Sequence, residues 1–327
     1  MTYLVTGVAG FIGFHTASAL LERGEHVLGI DNLNSYYPVA LKRARLDRLQ
    51  ESANFSFREA DIADRERLNE ALAGARISRV IHLAAQAGVQ YSLTHPEAYA
   101  SANLTGHLNM LECCRHLDGL EHMVYASSSS VYGGSDALPF REDDPADRPV
   151  SLYAATKRAD ELMSHSYAHL YRMPLTGLRY FTVYGPWGRP DMAYWLFAEA
   201  ILAGSAIDLY DEGRGRRDFT YIDDAVAGTL AVASRAPGAE PTPHRIYNLG
   251  KGIPDRLADM IGLLEDALGK QAERRLLPAR AGDVEVTHAD ISAIRADHGY
   301  QPATPLEIGI PKFARWYLEW RARDGNR

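Results

Sequence analysis

Cysteine is nearly absent from the sequence, since only Cys113 and Cys114 occur in 327 residues and the two are neighbours. Adjacent cysteines rarely bond to each other, and two thiols cannot build a disulfide framework or a zinc cage. We therefore expect both side chains to be buried in a helix, and we expect no metal site.

Long apolar runs and an excess of positive charge are also missing. No stretch approaches the roughly 20 apolar residues of a membrane-spanning helix, and the N-terminus lacks the features of a signal peptide. The 35 basic and 42 acidic residues give a net charge of −7, which argues against nucleic-acid binding. We expect a cytoplasmic protein that binds neither membranes nor nucleic acids. A local basic pocket could still hold an anionic small molecule.

What the first half of the sequence does contain is an alternation of short strands and helices. Runs rich in Val, Ile, Leu and Tyr predict strands, and the segments between them predict helices. The expected strands are residues 3–6, 26–31, 55–59, 79–83, 123–127 and 175–180. The expected helices are residues 11–23, 39–51, 65–73, 102–117 and 152–171. Because helical crossovers make neighbouring strands parallel, we predict an α/β fold with a Rossmann-type, doubly wound parallel sheet.

The predicted helix at residues 39–51 carries many basic side chains. Its leucines share one face. The rest of its surface carries Lys42, Arg43, Arg45 and Arg48. We expect this basic cluster to be a solvated helix face.

A glycine-rich turn follows the first predicted strand and opens the first helix. Gly7, Gly10 and Gly13 have the spacing G-x-x-G-x-x-G, with Phe11 and Ile12 between the last two. Glycines at such places permit a sharp turn, a close approach of backbone to a pyrophosphate and tight packing of helix on strand. The helix N-terminus adds free N–H groups and a partial positive charge. We therefore predict a dinucleotide site at this turn.

Acidic residues after the next two strands favour the same interpretation. Asp31, followed by Asn32, ends the second strand 18 residues after Gly13. A carboxylate there can accept hydrogen bonds from ribose hydroxyls and would repel a 2′-phosphate, which favours NAD over NADP. Asp61 and Ile62 follow the third strand and are candidates for the adenine side. A helix-capping role for Asp61 is an open alternative.

Tyr153 and Lys157 stand four residues apart and therefore share one face of a helix. A free phenol has a pKa of about 10 and is a poor base at neutral pH, but a nearby ammonium and a positive nicotinamide ring favour the phenolate. Residues 127–130 are four consecutive serines at the end of the fifth strand, where ligands bind in open α/β sheets. These hydroxyls indicate a polar ligand, and a plain serine turn is the alternative.

Together these residues resemble the nucleotide-sugar epimerase/dehydratase branch of the extended short-chain dehydrogenases. The resemblance covers nearly the full length and includes residues 217–219 and 280–283, which are similar to segments that hold uridine diphosphate in that family. It implies that Ser128 bonds the sugar 4-hydroxyl and that Lys157 binds the nicotinamide ribose and tunes Tyr153. It also implies tightly bound NAD that is regenerated in each turnover.

Further contacts are expected on both sides of the site. Those to NAD are Leu83, Ala84, Ala85, Asn103 and Tyr180. Those to the substrate are Ser129, Ser130, Thr182, Arg189, Arg217, Arg280 and Asp283. For Arg189, a solvated loop position is the alternative.

The alternation of strands and helices ends after Tyr180, where Gly185, Pro186, Gly188 and Pro190 mark a loop that leaves the sheet. We expect an NAD-binding domain and a smaller, mixed α/β domain that binds a UDP-sugar. The first would comprise residues 1–180, joined by about 218–250, and the second residues 181–217 and 251–327.

The serine run also discriminates between reactions. Relatives that eliminate water, and those that release carbon dioxide, carry acidic residues at the positions of Ser129 or Ser130. Without such an acid elimination is disfavoured, whereas a 4-epimerase needs no second acid.

Residues 31–37, 86–92, 149–157 and 181–191 resemble the UDP-glucuronate 4-epimerases of this family in particular. The resemblance implies conversion of UDP-glucuronate to UDP-galacturonate. The hydroxyls of the serine run and Thr182 could then hold the sugar carboxylate, and Arg189 the carboxylate or the diphosphate. Gln90 departs from the pattern, because relatives commonly carry Arg there, and this puts the acidic sugar in doubt but not the reaction.

Two other functions stay open. One is a 4-epimerase of a neutral UDP-hexose, such as UDP-glucose or UDP-N-acetylglucosamine, and the other is a non-catalytic sensor that binds NAD. The intact set of Ser128, Tyr153 and Lys157 argues against the sensor. From the resemblance we also expect a homodimer that pairs the helices at residues 102–117 and 152–171.

Overall fold

The computed structural model describes residues 1–278 and 284–324, and in these ranges seven strands form the central sheet. The strands of the chain are β1 (Thr2–Thr6), β2 (His26–Asp31), β3 (Phe55–Glu59), β4 (Arg79–His82), β5 (His122–Ser128), β6 (Leu175–Tyr180), β7 (Thr182–Tyr184), β8 (Ile207–Tyr210), β9 (Arg216–Arg217), β10 (Phe219–Tyr221), β11 (His244–Leu249), β12 (Asp255–Arg256) and β13 (Arg274–Leu277). The central sheet has the order β11-β6-β5-β4-β1-β2-β3, and all its neighbouring strands are parallel. The predicted Rossmann-type, doubly wound α/β fold is confirmed.

Helices cover both faces of this sheet. They are α1 (Phe11–Glu22), α2 (Val39–Gln50), α3 (Arg65–Leu72), α4 (Pro96–Tyr99), α5 (Gly106–Cys114), α6 (Leu152–Tyr171), α7 (Ala193–Ala203), α8 (Ile222–Ser234), α9 (Leu257–Leu268), α10 (Ser292–His298) and α11 (Leu306–Asp324). Apolar side chains of α1, α2 and α8 join one buried core, and those of α3, α5 and α6 join another. None of the helices in the described ranges is both long and apolar enough to cross a membrane.

The helix predicted at residues 102–117 has different bounds. It starts earlier, at Pro96, whose fixed φ suits the first turn of a helix. It then continues through a π-helical segment, Ala100–Thr105, into α5 and ends at Cys114. Cys113 and Cys114 are buried in α5 and form no disulfide, which confirms the prediction of two buried helical cysteines.

Strand ends also differ slightly from the prediction. β4 ends at His82, one residue early, and β5 extends to Ser128, which pairs with Tyr180. The second serine of the run is therefore the last residue that the sheet fixes.

Beyond β6 the chain forms smaller sheets of two strands. β7 pairs with β10 and β8 with β13 in parallel, and β9 pairs with β12 antiparallel. Helices α7 and α11 pack against α9. β11 returns to the central sheet beside β6. The exact division into two domains stays a prediction.

The prediction that the four basic side chains of α2 are exposed to solvent is wrong for two of them. Lys42 is 4% exposed and Arg45 is fully buried, whereas Arg43 and Arg48 are exposed. Arg45 is buried because backbone carbonyls surround it: its guanidinium donates to Ala9 O at 2.8 Å, Trp187 O at 2.6 Å and Gly188 O at 2.9 Å.

A buried ion pair fastens α6 to the middle of the sheet. Glu161 of α6 accepts hydrogen bonds from Arg179 of β6 at 2.8 and 2.9 Å, and from the hydroxyl of Ser127 of β5 at 2.6 Å. Burial alone would raise the pKa of Glu161, but the hydrogen bonds and charge of Arg179 hold it below its ordinary value. This contact fixes α6 relative to the ends of β5 and β6.

Glu161→Gln should lower the free energy of unfolding by about 3 kcal/mol, because it leaves the buried Arg179 without its counter-charge. The matched control is Glu70→Gln, since Glu70 forms an exposed pair with Arg67 and exposed pairs contribute little. Urea denaturation measures both. Equal effects of the two substitutions would contradict the role assigned to the buried pair.

Candidate active site

A cavity of about 1040 Å³ opens along the carboxyl ends of β1, β2, β4, β5 and β6. Its volume lies at the upper end of the range for ligand sites, which suits a dinucleotide together with a second ligand. Its walls include the glycine turn, residues 83–89, the serine run, α6 and the segments that follow β6 and β7.

The glycine turn fits a pyrophosphate against its backbone. A Cβ on Gly13 would lie 2.1 Å from the carbonyl oxygen of Gly7, and one on Gly7, whose φ is +69°, would lie 2.7 Å from Ala84 N. Only hydrogen is tolerated at these two places. Gly10 is the N-cap of α1, so no side chain covers the first-turn amides, and together with Phe11 and Ile12 it lines the cavity.

Asp31 ends β2 at the cavity wall. Its carboxylate accepts hydrogen bonds from Ala9 N at 3.1 Å and from Leu33 N at 2.9 Å. Burial raises the pKa of Asp31, against the opposing charge of Lys42. Lys42 also lines the cavity and donates to Asn34 Oδ1 at 2.7 Å. The structure thus places the cationic side chain of Lys42 close to Asp31. The prediction of a solvated helix face did not anticipate this.

Asp61 does not cap α3. The cap is Asp64, whose side chain accepts from Arg67 N at 3.1 Å. Asp61 instead accepts from Ala63 N and from the side chain of Asn32, both at 2.8 Å. Asp61, Ile62 and Asn32 all line the cavity, so the capping alternative is wrong for this residue.

Of the other cofactor candidates, Leu83, Ala84, Ala85 and Tyr180 line the cavity. Asn103 lies behind the wall, where it is nearly fully buried. Its amide bonds the backbone of Gln86 at 2.8 and 3.1 Å and Thr156 of α6 at 2.9 Å. Asn103 therefore braces residues 83–89 against α6, and its contact with NAD stays a prediction.

Tyr153 and Lys157 face the cavity from the first turns of α6. The N-cap of this helix is Ser151, whose side chain accepts a hydrogen bond from Ala154 N at 3.1 Å. The ammonium of Lys157 donates to Ala126 O at 2.9 Å and to Asp160 Oδ2 at 3.1 Å. Burial raises the pKa of Asp160 to about 6, although Lys157 opposes the shift. This buried carboxylate partner of Lys157 was not predicted.

The serine run divides between two directions. Ser127 borders the cavity, but its hydroxyl donates to Glu161 of α6 at 2.6 Å and is thus engaged within the protein. Ser128, Ser129 and Ser130 line the cavity together with Tyr153. Ser128 Oγ accepts from Ser130 N at 3.2 Å. Three of the four hydroxyl side chains are thus available to a ligand.

Thr182, Arg189 and Arg217 line the same cavity, so Arg189 does not occupy a solvated loop position. It forms a forked pair with Asp191 at 2.9 and 2.6 Å. Arg280 and Asp283 lie outside the described residues.

Asp218 lies in the segment 217–219 that the sequence singled out, but its supporting role was not predicted. It is fully buried, and its carboxylate accepts from the backbone N–H groups of Lys251 at 2.6 Å, Gly252 at 2.9 Å and Ala289 at 3.1 Å. It thereby joins three chain segments beneath Arg217.

A parallel sheet, a glycine turn at the start of α1 and a Tyr–Lys pair on α6 meet at one cavity, which is the arrangement of the short-chain dehydrogenase superfamily. The family model for the NAD dependent epimerase/dehydratase family matches residues 3–250. The chain belongs to this family.

Several individual proteins are similar to this chain over most of its length. UDP-glucuronate 4-epimerase 4 of Arabidopsis thaliana is 46% identical over 99% of this chain and 77% of its own length. UDP-glucuronic acid 4-epimerase from Bacillus cereus, solved with UDP-glucuronic acid and NAD, has a TM-score of 0.89 and 34% identity, covering 98% of this chain and 100% of that chain. UDP-glucose 4-epimerase from Thermotoga maritima, solved with UDP-glucose, has a TM-score of 0.87 and 30% identity, covering 98% and 99%.

Gly13→Ala should remove most of the NAD that copurifies with the protein, because the new Cβ collides with Gly7 O and displaces the start of α1. Gly262→Ala in α9 is the control, since a Cβ there meets no atom within 4 Å and alanine suits a helix better than glycine. NAD content is measured after denaturation of each protein. Full NAD content in Gly13→Ala would contradict the predicted cradle.

Proposed function

We propose that the protein converts UDP-glucuronate to UDP-galacturonate by inverting C4 of the sugar, with NAD bound throughout. The observation that carries this proposal is the set of three serines at the end of β5, which share one cavity with Tyr153 and Lys157. Hydroxyls occupy the positions where an eliminating enzyme needs an acid, so removal and return of a hydride is the chemistry that they support best.

The proposed mechanism assigns one task to each catalytic side chain. NAD, when bound, supplies the hydride acceptor and donor for C4. Tyr153 as phenolate takes the proton of the 4-hydroxyl and later returns it, while Ser128 bonds the same oxygen. Lys157 carries the positive charge that favours the phenolate. The 4-keto sugar turns between the two transfers and presents its other face.

The residues that would hold NAD follow from the fit of the cavity. Gly7, Gly10 and Gly13 leave room for the pyrophosphate at the N-terminus of α1. Asp31 would accept bonds from the adenosine ribose. Residues 83–89 would border the nicotinamide side, close to α6.

The sugar carboxylate would be held by neutral hydroxyls and one arginine. Ser129, Ser130, Thr182 and Arg189 are the polar groups at hand in the cavity. Because the 4-keto intermediate is a β-keto acid, these bonds would also keep the carboxylate from the orientation that releases carbon dioxide. Gln90 directly follows residues 83–89 of the cavity wall, so this departure from arginine lies next to the cavity.

The direct test is incubation of the purified protein with UDP-glucuronate, without added NAD, followed by separation of the sugar nucleotides. We expect UDP-galacturonate from the native protein and none from Tyr153→Phe, which keeps the ring but loses the acid–base group. Turnover of UDP-glucose but not of UDP-glucuronate would show that the substrate is a neutral UDP-hexose. Bound NAD without turnover of either sugar would favour the sensor.

The double substitution Ser129→Ala, Ser130→Ala should raise the KM for UDP-glucuronate about a hundredfold, because two hydrogen bonds to a charged group are lost. It should also increase the release of UDP-pentose. Ser234→Ala, at the exposed end of α8, is the control. Unchanged KM and unchanged UDP-pentose in the double variant would show that the serines do not hold the carboxylate.

A further inference from the structure

Arg189 is held by two residues that the mechanism does not use. Its Nε and Nη2 donate to the two oxygens of Asp191 at 2.9 and 2.6 Å, and the hydroxyl of Tyr36 donates to Asp191 Oδ2 at 3.1 Å. Tyr36 belongs to residues 31–37, which follow β2 on the NAD side of the cavity. We call these three residues the Tyr36–Asp191–Arg189 cluster.

The cluster is closely fitted to the segment after β4. Gly88 has φ of +100°, and a Cβ on it would lie 2.6 Å from the hydroxyl of Tyr36 and 3.6 Å from Asp191. The ring of Tyr36 packs on that of Tyr91 with 4.7 Å between centroids. Three separate parts of the chain therefore fix the position of Asp191.

Charge and protonation in the cluster are also defined. Burial and the charge of Asp191 raise the pKa of Tyr36, so its phenol remains a hydrogen-bond donor. Burial alone would raise the pKa of Asp191, but Arg189 and Tyr36 hold it below its ordinary value. The pair of Asp191 and Arg189 is consequently neutral as a whole, and attraction by net charge cannot be its main effect on an acidic sugar.

Geometry is what the pair can supply. A guanidinium has five N–H donors in one plane, and the fork to Asp191 uses one of them on Nε and one on Nη2. The opposite edge, formed by Nη1 and the second proton of Nη2, suits a two-point contact with another carboxylate. Because Asp191 fixes the plane of the guanidinium, it also fixes the plane in which a carboxylate can bind.

We propose that Asp191, held by Tyr36, is a positioning residue that orients Arg189 and through it the carboxylate of the sugar. This inference rests on the proposed function and assigns a specificity role to residues 31–37. In the competing loss of carbon dioxide, the C5–C6 bond breaks, its electron pair enters the enolate of the 4-ketone and a solvent proton returns to C5. A two-point contact with Arg189 also fixes the position of the carboxylate, and so holds C6 near the plane of the C4 carbonyl, where the C5–C6 bond does not overlap the carbonyl π system.

The test compares Tyr36→Phe and Asp191→Asn with the native NAD-bound protein. Tyr91→Phe is the matched control, because it removes a hydroxyl from the ring on which Tyr36 packs. One readout is the fraction of UDP-pentose among the products of UDP-glucuronate. The other is the ratio of the dissociation constants for UDP-glucuronate and UDP-glucose, measured by calorimetry, which needs no turnover.

We expect the UDP-pentose fraction to rise about tenfold in Tyr36→Phe, which loses one hydrogen bond to the Asp191 carboxylate, and about a hundredfold in Asp191→Asn, which weakens the two hydrogen bonds from Arg189. Asp191→Asn should bind UDP-glucuronate more tightly than the native protein does, because the carboxylate that competes for Arg189 is gone, and its affinity for UDP-glucose should be unchanged. Tyr91→Phe should match the native protein in both readouts.

Native product fractions and affinity ratios in both variants would overturn the positioning role, as would an equal loss of affinity for both UDP-sugars. A native protein that fails to epimerise UDP-glucuronate would instead overturn the proposed function. In that case the affinity ratio of Asp191→Asn against the native protein still decides whether Asp191 orients Arg189.

Discussion

The site depends first on the buried contact of Glu161 with Arg179 and Ser127. A helix that carries a base must keep a fixed distance from the strand end that carries the substrate, and apolar packing alone permits small shifts. A buried, fully hydrogen-bonded ion pair has one geometry, since leaving either charge unpaired is costly. Glu161 lies on the same helix face as Tyr153 and Lys157. The orientation of that face toward the cavity is therefore set by a contact between α6 and the strands β5 and β6.

Two further polar contacts bring the two sides of the cavity together. Arg45 joins the glycine turn, through Ala9, to Trp187 and Gly188 at the start of the segment that carries Arg189. Asp218, next to Arg217 in sequence, binds the backbone of two other segments, residues 251–252 and residue 289. In both cases a buried charge is satisfied by backbone groups from distant parts of the sequence. The NAD side and the sugar side are thus coupled by hydrogen bonds that do not themselves touch a ligand.

The elements that the sequence predicted well are those with local causes. Alternating strands and helices, the glycine turn and the four-residue spacing of Tyr153 and Lys157 each depend on short-range geometry. The burial of Lys42 and Arg45 could not be predicted, because periodicity identifies the apolar face of a helix but not what packs on its other faces. The sequence offered helix capping as an alternative role for Asp61, but Asp64 is the N-cap of α3. Both residues stand just before this helix, so the sequence alone did not distinguish them. Contacts such as that of Tyr36 with Asp191 join residues that are far apart in sequence, and no local sequence pattern predicts them.

In the proposed mechanism, the hydride taken from C4 is the one returned to it. UDP-glucuronate carrying deuterium at C4 tests this most directly, in ordinary water and with NMR or mass analysis of the product. Because Tyr153 exchanges only the hydroxyl proton, we predict UDP-galacturonate that retains its deuterium at C4 with none lost to solvent. Product that has replaced this deuterium with solvent hydrogen would contradict the account, since it would require C4 to be inverted by proton exchange.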